Sequence, residues 1–494
     1  MRCVPKELAA VQLPDFEPRC RSARITITRE NKAEGGNMGA ERNEGHSPQI
    51  GANPWSVFGG VPGAEERLAG AFDASFWTGM ALQVARIVSS LRHAMIALAS
   101  YWENVVVPGS DKRSTFDWEC GTFTLQQYTI AISEMRKSLQ PAGKPSTVEL
   151  LMSNLLFVCM EMFQNHYESA LCQLSNGLYL FCTTSNPTNQ QTEMEDELEK
   201  QLNHNFKRLM TQSLLFPVRH VDKRLLAPSF TPRMPNIPRS FASIAEARNS
   251  LNDCISSIAH ESQSRNSSSP KLFLNWAEAA DVSFQDQVGN VHNYLEQWSQ
   301  VFEEFRKREE ANLSERERHN CIILEIQRIA LPILALAPNS QSEAIFDLWM
   351  PEFSRLVDLV SFLIRNKRRF PNCMVLHLPK FDINLILPMY LVASRCRHPE
   401  LRRQAVELLW LEPRQEGIWN SAILASVAER IILIEERGLG PMKSCEDVPA
   451  PVRIKLVEGT ILTASAQVVA TFSRPAAHGN GQDELLYETI SYMR

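Results

Sequence analysis

What the chain lacks narrows its chemistry first. None of its 11 cysteines sits at the C-x-x-C or C-x-x-x-x-C spacing that lets neighbouring thiolates share a metal. No G-x-S-x-G, H-E-x-x-H, G-x-G-x-x-G or kinase signature occurs, and "AGKPS" has neither the upstream glycine nor the Lys-Ser/Thr pair of a phosphate-cradling loop. "HYE" at His166 to Glu168 begins like a zinc-deaminase motif, yet no P-C-x-x-C follows. The expectation is therefore a protein that is not an enzyme and needs no cofactor. Positive charge is also short: the net charge is −5. That balance excludes a generally basic, phosphate-coating surface.

Long apolar runs are missing too. "CIILEIQRIALPILALAP" is broken by Glu325, Gln327 and Arg328, and "FDINLILPMYLVA" falls short of the roughly 20 residues a bilayer requires. No membrane segment is expected. "MRCVPKELAAVQLPDFEPRC" carries no apolar stretch behind its basic residues, so no secretory signal is expected either. Cys159, Cys172, Cys182 and Cys321 lie in apolar helical runs and read as small buried hydrophobes of a reduced, intracellular protein. The sequons at Asn266 and Asn312 are then coincidental.

What is present is helix. Residues 1–65, with "ENKAEGGNMGAERNEGHSPQIGANP", are too poor in apolar side chains to offset the entropy of ordering, which predicts a disordered arm. Helical periodicity follows in "ALQVARIVSSLRHAMIALASYW" and "FTLQQYTIAISEMRKSL". In "PSTVELLMSNLLFVCMEMFQNHYESALCQLSNGLYLF", Pro145 and Ser146 open a helix, Gln164 to His166 break it, and a second helix follows. Gly177 inside that second helix costs about 1 kcal/mol relative to Ala, so a close crossing is expected there. Acidic "TEMEDELEKQ" followed by basic "FKRLMTQSLLFPVRHVDKRLLAPSF" reads as solvated surface, ahead of the proline-rich linker 226–241. Ser243 and Glu246 have the spacing of a capping box, and Pro332 is expected to end or kink its helix. "RNKRRF" at 365–370 reads as a helix-end cation cluster or a nuclear import signal.

The predicted fold class is mainly α. It is an array of packed antiparallel helix pairs, solenoid-like or bundled, with a disordered amino-terminal arm and a small carboxy-terminal β-hairpin. The expected divisions are 66–225 and 242–440 as two parts of one helical domain, and a tail at 441–494. "VRIKLVEGTILTASAQVVATF" supplies the hairpin, with its turn placed at Glu458 and Gly459.

The densest pattern is "CRHPELRRQAVELLWLEPRQEGIWNS". Pro399 suits a first helical position, and Leu401, Ala405, Leu408 and Leu409 form one apolar stripe. Arg402 and Arg403 lie off that stripe, with Arg403 and Glu407 at the spacing of a surface ion pair. Two arginines in a first turn oppose the helix dipole. A carboxylate partner is therefore expected, with Glu400, Glu429 or Glu435 as candidates. Ile418 and Trp419, after Pro413, are expected to begin the next helix.

In order along the chain, "HAMIALASYWE", "LQQYTIAISEMRKSL", "VELLMSNLLFVCMEMFQNHYESALCQLSNGLYL", "IPRSFASIAEARNSLNDCI", "LEQWSQVFEEF" and the Ile386–Gly438 region resemble the helical regulatory region of fungal-specific transcription factors. These are the proteins that carry an amino-terminal Zn2Cys6 binuclear cluster. The likeness runs from about Arg92 to Gly438. Its signature residues here are Glu168, Gly177, Pro399, Arg402, Arg403, Pro413, Arg414, Glu416, Gly417 and Trp419.

The resemblance implies a nuclear transcription regulator of metabolic or secondary-metabolite genes, working through the transcription machinery or a DNA-binding family member, as a homo- or heterodimer. It implies DNA contact through the zinc cluster, but only Cys3 and Cys20 precede Cys120. This chain is therefore expected to reach DNA indirectly, unless an amino-terminal zinc cluster is missing from the sequence as given. The alternative is a helical scaffold that kept the domain without the DNA-binding part.

Overall fold

A computed structural model describes residues 76–106, 118–140, 145–184, 193–215, 236–266, 282–336, 343–366, 384–411, 414–475 and 483–492. The arm at 1–65, the cations 367–370 and Pro413 lie outside these residues, as does most of the linker 226–241.

Thirteen α-helices dominate the described residues. After a π-helical turn at Phe76–Met80 come α1 (Ala81–Ile87), α2 (Ser89–Val106), α3 (Trp118–Ser138), α4 (Thr147–Phe163), α5 (Tyr167–Thr184), α6 (Glu193–Leu215) and α7 (Ile244–Asn266). There follow α8 (Val282–Glu309), α9 (Glu315–Leu336), a 3-10 segment (Glu343–Trp349), α10 (Met350–Asn366), α11 (Ile386–Arg395), α12 (Pro399–Leu411) and α13 (Ser421–Glu435). Successive helices pack as pairs, α2 on α3, α4 on α5 and α11 on α12. One apolar cluster continues through them from Phe76 to Ile490, with Trp298 and Trp419 among its largest members. The mainly α, paired-helix architecture with a small terminal β element is the one the periodicities predict.

Local chemistry explains the helix ends. The Ser146 hydroxyl accepts from the Glu149 amide at 3.1 Å and starts α4. Asn165, at φ 57°, turns the chain between α4 and α5. The Ser243 hydroxyl accepts from the Glu246 amide at 3.2 Å, while the Glu246 carboxylate reaches back one residue further than expected, to the Ala242 amide at 2.6 Å. Pro332 does not end α9, which runs on to Leu336. Aromatic stacking holds the middle of the array, Trp298 lying on Phe302 with ring centroids 4.6 Å apart.

The terminal β element is larger than a hairpin. Strands β3 (Lys455–Leu462), β4 (Gln467–Arg474) and β5 (Glu484–Ser491) form an antiparallel sheet in that order. Its first turn lies at Thr463 to Ala466, with Ala466 at φ 51°. Glu458 and Gly459, expected in the turn, are inside β3, where Gly459 pairs with Ala470 and a bulge separates Leu456 from Glu458. A bulge shifts the alternation by one residue, which makes Glu-Gly look like a turn in the sequence.

Two further expectations fail. Cys172 is exposed, on the outer side of α5, whereas Cys159 and Cys321 are buried as expected. The described part of the basic stretch after "TEMEDELEKQ", 206–215, is not solvated surface, since Phe206, Arg208, Leu209 and Gln212 of α6 are all buried; 216–230 lie outside the described residues.

Candidate functional site

Apart from Glu168, and from Pro413, which lies outside the described residues, the signature residues gather around α6, α11, α12 and α13. Gly177 sits where a Cβ would lie 2.2 Å from Asn154 Oδ1 of α4 and 2.5 Å from Phe206 Cε1 of α6. This is the close crossing that offsets its helix penalty. Gly417, at φ 55°, meets the same helix through Gln212, whose Oε1 would lie 1.8 Å from an added Cβ and accepts from the Ile418 amide at 3.1 Å. Both glycines are thus closed by side chains of α6. Glu168 is exposed in the first turn of α5.

Between α12 and α13 the chain forms a two-strand clasp, β1 (Gln415–Glu416) against β2 (Trp419–Asn420). Ile418 and Trp419 therefore precede the next helix rather than begin it. Asn420 is the cap of α13, its Oδ1 accepting from the Ala422 and Ile423 amides at 3.0 and 3.2 Å. Arg414 closes the clasp through its backbone, which exchanges hydrogen bonds with Ser421. The clasp leans on the α4–α5 turn: Asn420 Nδ2 lies 3.4 Å from Asn165 Oδ1. Trp419 is buried against the core.

Glu416 carries the clasp's main polar task. It is buried, and its Oε2 accepts from three successive amides, Asn384, Leu385 and Ile386, at 3.2, 3.0 and 3.0 Å. These are donors at the start of α11 that no intrahelical carbonyl can reach, and a negative charge there also matches the helix dipole.

On the other side of α12 the arginines form a closed ionic cluster. Arg402 is fully buried rather than off the core stripe, and the buried face of α12 runs Arg402, Ala405, Val406, Leu409. Its Nη2 donates to Glu435 Oε2 at 2.8 Å, so one of the three candidate carboxylates is the partner. Glu429 instead accepts from the Trp410 indole at 3.0 Å, and Glu400 is exposed. Arg403 pairs with Glu436 and with the Pro399 carbonyl, not with Glu407.

Arg397, also fully buried, donates to Glu435 Oε1 at 2.8 Å, to the Ile454 carbonyl at 3.2 Å and to Glu343 Oε2 at 3.3 Å. The Ile454 amide donates to Glu435 Oε1 at 2.8 Å. Arg453 makes a two-pronged pair with Asp347, both contacts at 2.9 Å, and Arg395 donates to Glu343 at 2.6 Å. Two pieces of chain far apart in sequence are thereby tied to α12 and α13: the 3-10 segment and the residues leading into the terminal sheet.

Burial alone would push the Glu435 carboxyl up; Arg397 and Arg402 beside it outweigh that and hold it below the usual carboxylate range. Burial wins at Arg402, whose guanidinium is pushed down from its ordinary value, while Glu435 and Glu343 outweigh burial at Arg397. Sequence reasoning singled out Arg402 and named Glu435, but not Arg397, Arg453, Glu343 or Asp347. The available signal for Arg453 was an arginine between Val452 and Ile454 in "PVRIKLV", where Lys455 is the other cation.

Chemically the cluster is a lock. Each of its guanidinium groups reaches at least one carboxylate, although Arg397 Nε and Arg402 Nε and Nη1 are buried without a hydrogen-bond partner, and the cluster holds α11 to α13 and the terminal sheet in one arrangement. A third polar group lies at the α4–α5 turn, where buried Glu161 accepts from the Tyr128 hydroxyl at 2.9 Å and meets His166 Nδ1 at 3.2 Å. Among the described residues no set of three or more His, Cys, Asp or Glu side chains could hold a metal ion, and no helix is long and apolar enough to cross a membrane.

No protein-family model, curated protein or solved structure matches this chain.

Proposed function

We propose that the chain is a regulatory helical domain of the fungal Zn2Cys6 transcription-factor type, acting in the nucleus on metabolic or secondary-metabolite gene expression through protein partners. The observation that carries the reading is the ordered set of six segments resembling that family. Its most specific part, P-x-x-R-R followed by P-R-x-E-G-I-W, works in this chain as a unit. Arg402 locks α12 to α13, Glu416 caps α11, and Gly417 and Trp419 seat the clasp on α6 and the core. These four members of the motif have separate packing tasks, and the reading itself rests on the ordered resemblance. The role of such a domain is to present a fixed helical surface to a DNA-bound partner, either the transcription machinery or a family member in a homo- or heterodimer. The net charge of −5 agrees with indirect DNA contact.

The test joins the full chain to an unrelated DNA-binding module upstream of a reporter gene and follows its cellular location. A several-fold change in reporter output, in either direction, together with nuclear accumulation is the expected result. An unchanged reporter with exclusion from the nucleus overturns the proposal and leaves the scaffold reading, which the same negative charge also suits.

A further inference from the structure

The terminal sheet has two outer strands, β3 and β5, and their edges are built differently. On β3 a bulge separates Leu456 from Glu458, and Lys455 opens the strand with a positive charge. Bulges and edge lysines are devices that keep a strand from taking up another. The β5 edge carries neither. Its eight residues pair with β4 in an unbroken register and include no proline, and among the described residues no strand lies on the far side.

The phase of the ladder shows which backbone groups that edge presents. Just beyond β5 the Tyr492 amide donates to the Ala466 carbonyl at 3.1 Å. Hydrogen-bonded and non-hydrogen-bonded pairs alternate along an antiparallel ladder, so Ile490, Glu488 and Leu486 turn their backbone groups towards β4. Leu485, Tyr487 and Thr489 turn theirs outwards.

The same alternation sorts the side chains. Val468, Ala470 and Phe472 are buried beneath the sheet, and their cross-strand partners Ile490, Glu488 and Leu486 share that inner face. Leu485, Tyr487 and Thr489 lie on the outer face, which puts no charge on β5; Tyr487 is 71 % exposed and Leu485 49 %. The two carboxylates of the strand are answered within their own chain, Glu488 by Arg430 at 2.7 Å and Glu484 by Arg474 at 2.8 Å. Two such strands can therefore approach without unpaired like charges.

We infer that β5 is an interface between two copies of this chain. The strand pairs antiparallel with β5 of a second copy across a two-fold axis, joining the two three-stranded sheets into one. Tyr487 lies opposite Tyr487 of the second copy, and Leu485 opposite its Thr489, so that the outward amides and carbonyls meet. This register places an aromatic pair on the axis and sets Glu488 opposite Leu486 rather than against its own counterpart. An isologous pairing also closes on itself. Only the blunted β3 edges remain outside, and the assembly stops at two. The inference does not depend on the regulatory reading.

The test is sedimentation velocity of the full chain from about 1 to about 200 μM, the range of an interface below standard size. A monomer–dimer equilibrium is expected within it, and hydrogen exchange at the Tyr487 and Thr489 amides should slow several-fold as the dimer forms. Thr489→Pro removes an amide that points away from β4, so it loses no bond inside the sheet. It should abolish the dimer. Tyr487→Lys sets two ammonium groups opposite each other on the axis and should weaken the dimer several-fold. Melting curves confirm that each variant is folded, and Tyr487→Lys serves where the proline variant is not. A chain that stays monomeric throughout, a dimer as tight in either folded variant as in the wild type, or exchange at Tyr487 and Thr489 indifferent to dimer formation would each overturn the inference.

Discussion

Arg402 and Glu435 meet at 2.8 Å with neither side chain exposed to solvent. Arg397 reaches the other oxygen of the same carboxylate at the same distance. Glu435 thus answers two buried guanidinium groups and the Ile454 amide together, and it is the element on which α12, α13 and the path into the terminal sheet depend.

Removing that carboxylate should be among the most damaging single changes in the chain. Losing one partner of a buried ion pair costs about 3–5 kcal/mol, because the remaining charge stays in a medium that cannot solvate it. Glu435→Gln is expected to lower the urea midpoint by a corresponding amount and to speed amide exchange at Ile454. Arg403→Ala, on the half-exposed pair with Glu436, is expected to cost no more than about 1 kcal/mol. Comparable losses in the two variants would show that the buried lock contributes nothing special.

Acid should open the same lock. The Glu435 carboxyl is held below its ordinary value in the fold, so its contribution is present above the unfolded-state value of about 4.3 and is lost as pH falls through the folded one. Urea midpoints measured from pH 6 downward should therefore decline more steeply in the wild type than in Glu435→Gln. Parallel declines would remove Glu435 from the acid response.

The helices and their pairing were legible because apolar residues recur at threes and fours over long stretches, and because Ser146 and Ser243 have the chemistry of helix starts. The site was legible only in part. Arg402 was conspicuous as a cation opposing a helix dipole, and that conflict led to Glu435. Arg397 and Arg453 were not legible, because their partners Glu343 and Asp347 lie 54 and 106 residues away and no local pattern encodes such a pairing. Trp419 was misassigned because Gly417, at φ 55°, turns the two-residue link that pairs Glu416 with Trp419, and Gln212 of α6, 206 residues away, accepts from the Ile418 amide there. A two-strand clasp fixed by a distant helix has no periodicity to read.

Two glycines with the same backbone sign separate strain from space. Gly417 and Gly438 have φ 55° and 81°, but an added Cβ at Gly438 meets nothing within 4 Å, whereas at Gly417 it collides with Gln212. Gly438→Ala should cost only the left-handed penalty of about 1–2 kcal/mol. Gly417→Ala should cost clearly more, since Gln212 must also surrender its bond to the Ile418 amide. Equal losses in chemical denaturation would mean that Gln212 moves aside freely.

His166 titrates in the opposite sense to Glu435. Its hydrogen bond to Glu161 raises the imidazole above its ordinary value, against the opposing effect of partial burial. A raised histidine stabilises the fold fully below the unfolded value of about 6.5, and that contribution fades as pH climbs through the folded value. With about half of its side chain in solvent, His166 should show the effect more clearly in its own titration than in global stability. Nuclear magnetic resonance of the imidazole protons should give a midpoint above 6.5 in the wild type. In Glu161→Gln the midpoint should fall back, because the amide neither carries the charge nor accepts as strongly. A midpoint indifferent to that substitution would show that Glu161 is engaged by Tyr128 alone, and that the turn between α4 and α5 is held without help from the imidazole.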